Sequence, residues 1–233
     1  MRPLLLLALS ASLCPAQDVV TLHGVTISAT NQVTVVYSKN FATCAHMRFS
    51  NATCTQTGGL THAANMFCAQ GSFVGVTVPA ASFLAGFGIG TNVFLVHGNN
   101  GGVASACIAV AYDGAYGTGC AGTLGAPALD SSDEAAPAGT TCTFALQNGL
   151  PGSVAVLGLG LGQASIPVLG CDLLLGSVLG TVAIPFDGSG AGSFPFPLPL
   201  GSTGIEFTAQ AFALDPSGPQ GFTASNGLLV KVQ

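Results

Sequence analysis

Apolar and polar residues alternate along much of this chain, and that period of two constrains its fold more than any other feature. Residues 32–37 place Val33, Val35 and Tyr37 on one side of an extended segment, and residues 141–146 repeat the alternation. A period of two is that of a β-strand with one buried face, whereas a helix would repeat every ~3.6 residues. We therefore predict strands in both stretches.

Comparable apolar runs recur along the chain, separated by Gly, Pro and Asn, which are typical of turns. They occupy 73–78, 93–96, 154–157, 181–184, 193–196, 205–214 and 227–232. Pro195 and Pro197 lack the amide hydrogen that a central strand needs, so we expect an edge strand or an extended segment there. Many short strands joined by turns predict an all-β protein made of small β-sandwiches, Greek-key or jelly-roll-like in topology.

The first residues have the order of a secretory signal. Arg2 supplies a positive charge, residues 4–13 are apolar, and residues 14–16 offer small side chains for cleavage. The apolar run is shorter than the ~20 residues that cross a bilayer. We predict a signal peptide at 1–16, no transmembrane segment in the mature chain, and a protein that is secreted or held at the cell surface. Lipid attachment to Cys14 is the less favoured alternative.

Composition divides the rest of the chain into two parts. All four histidines precede residue 116, and no basic residue occurs between Tyr116 and Lys231. A Gly-rich stretch at 113–119 separates the parts, so we predict an N-terminal Cys/His-containing β-domain at 17–115 and a Gly/Pro-rich β-sandwich domain at 116–233. With 4 Lys and Arg against 9 Asp and Glu, the chain lacks the basic surface that phosphates require, which excludes nucleic acid as a partner.

The cysteines predict disulfide bonds, because exported proteins fold in an oxidising compartment. The N-terminal part holds four candidates: Cys44, Cys54, Cys68 and Cys107. They allow three pairings, among which the sequence does not choose. A zinc site that adds His46 and His62 to three of these cysteines is disfavoured, because structural zinc ligands usually come as closely spaced pairs.

The C-terminal part holds three more cysteines. Cys142 lies on the apolar side of its strand, which predicts a buried free thiol. Cys120 and Cys171 remain as the natural bridge.

Candidate chemistry is sparse. His23, His46, His62 and His97 could serve a small hydrolase as general base, provided that a Ser or Cys lies within ~3 Å of a ring nitrogen. The chain has no Gly-x-Ser-x-Gly motif, and its Gly-rich stretches at 86–90 and 158–162 lack the helix or lysine of a phosphate loop. We predict no catalytic residue, no cofactor and no enzyme.

One acidic cluster is a possible calcium site. Asp130, Asp133 and Glu134 would need backbone carbonyls to complete the about six to eight oxygens that calcium takes, and we favour a solvated loop. Glycan binding is disfavoured by the absence of Trp.

Several short motifs recur together in the second half. They are YGTGC at 116–120, GCDL at 170–173, FTAQA at 207–211, DP at 215–216 and SNGL at 225–228. In combination they resemble a functionally uncharacterised Gly/Pro/Leu-rich C-terminal β-domain of secreted planctomycete-type bacterial proteins. The resemblance covers residues 116–233 and implies a β-domain that closes an exported protein, with Cys120 and Cys171 bridged. Cys142 departs from the pattern, and no catalytic or binding residue carries over.

These observations favour a non-enzymatic, structural or adhesion-type protein of the cell surface or the extracellular space. Its expected partners are a surface polysaccharide or another extracellular protein. The alternatives are a glycan- or calcium-binding extracellular module and, third, a small hydrolase that uses a histidine of the first half.

Overall fold

The computed structural model describes residues 18–50, 54, 67–78, 88–97 and 105–233. Across these residues the protein is all-β, as predicted: the regular elements are strands and one short 3-10 turn at Pro219–Gly221. The predicted signal peptide at 1–16 lies outside the described residues.

The strands follow one another along the whole described chain. The first eight are β1 (Val20–Ser28), β2 (Val33–Lys39), β3 (Ala45–Ser50), β4 (Gly71–Val78), β5 (Asn92–His97), β6 (Ile108–Ala109), β7 (Ala111–Asp113) and β8 (Ala115–Tyr116). The others are β9 (Ala128–Ser131), β10 (Thr141–Gln147), β11 (Val154–Val168), β12 (Cys171–Pro185), β13 (Gly192–Pro197), β14 (Glu206–Leu214), β15 (Phe222–Ala224) and β16 (Gly227–Lys231).

Two sheets of the first half share a hydrophobic core. One sheet has the order β4-β2-β1-β7, with β7 parallel to β1, and the other has the order β3-β5-β6. Val33, Val35 and Tyr37 of β2 are fully buried, which confirms the predicted alternation. They belong to one cluster with Met47 of β3 and Leu95 of β5, so the two sheets bury apolar side chains against each other.

The second half encloses a separate hydrophobic cluster between two further sheets. The smaller sheet has the order β13-β10-β9, and the larger has the order β12-β11-β14-β16-β8 with β15 beside β14. Cys142, Phe144 and Leu146 of β10 are buried on one face and share a cluster with Leu157 and Ala209 of the larger sheet. Strand β13, which contains both prolines, lies at the end of its sheet, and this confirms the predicted edge strand.

The hairpin of β11 and β12 is much longer than the sequence predicted. The runs at 154–157 and 181–184 were expected to be short strands, but each belongs to a strand of 15 residues. A Cβ on Gly160 would lie 2.4 Å from the carbonyl oxygen of Ser177, and the register shifts beside it. The glycines in this hairpin allow close approach at a β-bulge rather than ending the strand.

The chain passes from the first pair of sheets to the second at Gly114. Strand β7 pairs with β1, whereas β8 pairs with β16. A Cβ on Gly114 would lie 2.1 Å from the carbonyl oxygen of Leu229, so only glycine fits this crossing without displacement. The predicted domain boundary at 115/116 falls within β8 and stays a prediction.

Candidate functional site

Three disulfides fasten the sheets and the segments beside them. Cys44 pairs with Cys68, and Cys54 pairs with Cys107. In the second half a bond joins Cys120, which bridges to Ala224 of β15, to the first residue of β12. Such bonds are typical of proteins that fold in an oxidising compartment.

Cys142 is buried in the second sandwich and forms no disulfide. Its thiol lies 3.5 Å from the carbonyl oxygen of Asp133, to which it can donate a weak hydrogen bond. Burial raises the pKa of the Cys142 thiol, which keeps the group protonated and unreactive.

A histidine, a serine and an aromatic ring meet on the outer face of the first sandwich. The Nε2 atom of His23 lies 2.8 Å from the Oγ atom of Ser38, within hydrogen-bond reach. The ring of Phe73 stacks on the imidazole, with centroids 4.5 Å apart and an interplanar angle of 26°. We call these residues of β1, β2 and β4 the Ser38 cluster.

Bulges on both neighbours of β2 bring these three side chains together. The pairing of β1 with β2 shifts between Leu22 and Gly24, so His23 is the extra residue. On its other edge β2 pairs with β4, and that pairing shifts between Tyr37 and Lys39, at Ser38. A bulge bends its strand and redirects a side chain, and bulges are over-represented beside functional sites.

Phe73 has two features that packing alone does not require. Its φ is 52°, in the left-handed region that a bulky residue rarely adopts, and its side chain is 71% exposed. A strained backbone that presents an aromatic ring to solvent is a reason to suspect function.

A shallow hollow of about 180 Å³ adjoins the cluster. It is lined by Val19, Ser38, Lys39, Asn40, Gly71 and Ser72. The ammonium of Lys39 donates to the carbonyl oxygen of Thr43 at 2.5 Å, and burial lowers the pKa of Lys39. The hollow therefore offers the hydroxyl groups of Ser38 and Ser72 beside an exposed ring.

His46 is buried in β3, and His97 ends β5. His62 lies outside the described residues. Among the described side chains, a hydroxyl–imidazole contact of the kind that a hydrolase needs occurs at His23.

The acidic residues lie in a different place, beside the crossing at Gly114. Asp130, Asp133 and Glu134 line a pocket of about 460 Å³, together with residues of the first half such as Tyr112. The Oδ1 atom of Asp130 accepts from the amide of Ser131, and that of Asp133 accepts from the amide of residue 135. Each of these two carboxylates accepts from an amide one or two positions further along the chain.

Glu134 differs from its neighbours because it is partly buried. Its Oε2 atom accepts a hydrogen bond of 2.6 Å from the amide of Gly114. Burial raises the pKa of Glu134 to about 7; the Gly114 amide opposes the rise, and the charges of Asp113 and Asp130 add to it.

In the described part of the chain, no three His, Cys, Asp or Glu side chains lie together so as to hold a metal ion. Nor does any helix in those ranges have the length and apolar character needed to cross a bilayer.

No family model and no curated protein matches the chain. Among solved structures it is similar to a tetra-tandem repeat from the extending region of a large adhesion protein, at 11% identity and a TM-score of 0.29 over 92% of this chain and 48% of that one. It is also similar to a structure from a 1.5-MDa bacterial ice-binding adhesin, at 13% identity and a TM-score of 0.30 over 93% of this chain and 65% of that one. A third match, to the chicken interferon gamma receptor alpha chain, has 8% identity and a TM-score of 0.27 over 93% of this chain and 100% of that one.

The chain spans less than two thirds of the length of the first two of these structures. TM-scores this low carry no argument about fold or function.

Proposed function

We propose that this is an exported, non-enzymatic protein with a structural or adhesive role at the cell surface or outside the cell. Three disulfides on an all-β scaffold support the extracellular location, since such bonds persist outside the reducing cytosol. Charged residues make up only 6% of the chain, so its stability depends on buried apolar faces and covalent bonds rather than on ion pairs.

The exposed ring of Phe73 carries the adhesive part of the proposal. The two bulges and the left-handed backbone hold that ring outward, although burial would be favourable by about 1.5–3 kcal/mol for a side chain of this size. Aromatic side chains are the typical anchors of binding surfaces, because they bury a large area at a small cost in conformational entropy.

Retention on surfaces tests this role. Beads coated with the mature protein should be retained on cells or extracted extracellular matrix, and Phe73→Ala should abolish most of that retention. Leu124→Ala is the matched control, because Leu124 is also an exposed large apolar residue, at 49%. Equal retention by the wild type and the Phe73→Ala variant would contradict the proposal.

Glycan binding is the second candidate, and the Ser38 cluster favours it. An exposed ring can stack on the apolar face of a sugar while the neighbouring hydroxyl groups of Ser38 and Ser72 bind sugar hydroxyls. Insoluble polysaccharides should then retain the protein through Phe73, and soluble oligosaccharides should compete. Retention on protein-coated beads without any polysaccharide binding would favour a protein partner instead. The acidic pocket gives no comparable support to calcium binding.

Hydrolysis is the third candidate, supported by the 2.8 Å contact between His23 and Ser38. A nucleophile of this kind also needs a group that orients the base, and here an aromatic ring stacks on the imidazole. Turnover on a broad hydrolase panel that is lost in Ser38→Ala and kept in Ser72→Ala would replace the non-enzymatic proposal.

A further inference from the structure

The second sandwich has an apolar cavity that none of the functions above uses. It has a volume of about 380 Å³ and opens between the two sheets. Leu159 and Leu161 of β11, Leu179 of β12 and Phe207 of β14 line it from the larger sheet, and Phe196 of β13 lines it from the smaller sheet. The rings of Phe196 and Phe207 pack with their centroids 5.5 Å apart.

The segment between β13 and β14 completes the lining, and its polar groups are bonded within the protein. The amide and carbonyl of Leu198 both hydrogen-bond to residues 139–140. Pro199 has no amide hydrogen, and its carbonyl oxygen accepts from both the amide and the hydroxyl of Ser202, at 3.1 Å and 2.6 Å. The carbonyl of Ser202 in turn accepts from the amide of Ile205. The donors of Leu198, Ser202 and Ile205 are therefore all used within the protein.

The lack of charged lining residues also disfavours a polar ligand. No residue that lines the cavity carries a charge, and the nearby Lys231 and Glu206 form an ion pair with each other at 3.0 Å. A charged or hydrogen-bonding group placed inside would lose its hydration without gaining a partner. The complementary ligand is uncharged and has no donors along the part that enters.

The mouth of the cavity is accessible. Leu179 is 66% exposed and Leu161 is 46% exposed, and both line the cavity at its edge. Leu179 is also the extra residue of a bulge in β12, where Leu159 pairs with Gly180 and the next pair is Gly160 with Val178. The volume lies within the range of small-molecule sites and is too small to admit a folded protein.

We propose that this cavity binds a single alkyl chain of a monomeric amphiphile, and that the polar head of the ligand stays in solvent. The driving force is the removal of the chain from water, which contributes about 0.8 kcal/mol for each CH₂ group. The protein recognises the length of the chain, because the cavity is finite, and it is indifferent to the head group.

Calorimetric titration with straight-chain alkanols, below their aggregation limits, tests the proposal. Affinity should rise about fourfold for each added CH₂ until the cavity is full and then level off. A carboxylate, an alcohol and a trimethylammonium head on the same chain should bind equally. Absence of binding, preference for one head group, or binding to phosphatidylcholine vesicles without binding to monomeric alkanols would overturn it.

A matched pair of variants locates the site. Leu179→Gln should weaken alkanol binding about tenfold, because a polar amide replaces an apolar contact at the mouth. Val178→Gln should leave binding unchanged, because Val178 is 51% exposed on the same strand and does not line the cavity. Since both positions are exposed, neither change should unfold the protein. Equal effects of the two substitutions would place the binding site elsewhere.

Discussion

At Glu134, burial and hydrogen bonding act on one carboxyl group in opposite directions. The amide of Gly114 stabilises the carboxylate at 2.6 Å, whereas partial burial and the facing carboxylates of Asp113 and Asp130 disfavour it. The result is a pKa of about 7, against an ordinary value of 4.5. The folded state therefore holds a proton on Glu134 under conditions where an unfolded chain has lost it.

Glu134→Gln should change how stability depends on pH. Because the pKa is raised in the folded state, the wild type loses stability as pH rises from 4.5 to about 7, since the unfolded chain binds fewer protons there. Glutamine does not titrate and can still accept from Gly114, so the variant should gain relative to the wild type across that window. The gain is at most about 1–2 kcal/mol, because solvent reaches the carboxyl group and screens the interaction.

Urea denaturation at several pH values measures this difference. Glu134→Ala is the informative companion, because it removes the acceptor for the Gly114 amide and should be less stable than Glu134→Gln at every pH. Parallel stability curves for the wild type and Glu134→Gln would contradict the ionisation argument.

At the scale of single elements, alternation predicts a strand and its buried face well wherever the strand has no bulge. Val33, Val35 and Tyr37 are buried as the period of two requires. Strand length is less predictable, since Gly160 looks like a break in the sequence but lies inside β11. Whether a glycine ends a strand or admits a close neighbour depends on the facing chain, which the sequence does not place.

Alternation also does not predict the Ser38 cluster, because the sequence does not place the facing strand. His23 and Ser38 are fifteen positions apart, and they meet because β1 carries an extra residue at that point. A strict period of two places every residue on one of two faces, so it cannot predict a bulge that redirects one side chain. The signal in the sequence was the pair of adjacent non-branched residues His23 and Gly24, which interrupts the β-branched pattern of β1.

Two glycines of the long hairpin should respond oppositely to alanine. A Cβ at position 160 would lie 2.4 Å from a backbone oxygen of Ser177, so Gly160→Ala must displace the neighbouring strand and should cost about 1–3 kcal/mol. Gly180→Ala is the control, because nothing lies within 4 Å of its Cβ position. It should be neutral or stabilise by up to ~1 kcal/mol through the unfolded state. Equal losses in chemical denaturation would refute the close-approach argument.

At the scale of the whole molecule, two hydrophobic clusters are joined by a few contacts. The chain crosses between them at Gly114, whose amide donates to Glu134. A cation–π contact places the Lys231 ammonium 5.2 Å from the centroid of the Tyr112 ring. Each of these three disulfides joins residues of the same half, so the cross-links strengthen each cluster separately and none of them spans this junction.

Removing the disulfide of the second half tests whether the two clusters unfold independently. The bond joins Cys120 and Cys171 across 51 residues, so the Cys120→Ala, Cys171→Ala double variant should lose about 2–5 kcal/mol as its unfolded state gains conformational freedom. Hydrogen exchange should then accelerate in β12, β14 and β16, while the amides of β1 and β2 keep their protection. Cys142→Ala is the control, since Cys142 forms no disulfide. If β1 and β2 lose protection in step with β14, the halves unfold as one cooperative unit, and the division at 115/116 describes composition rather than two domains.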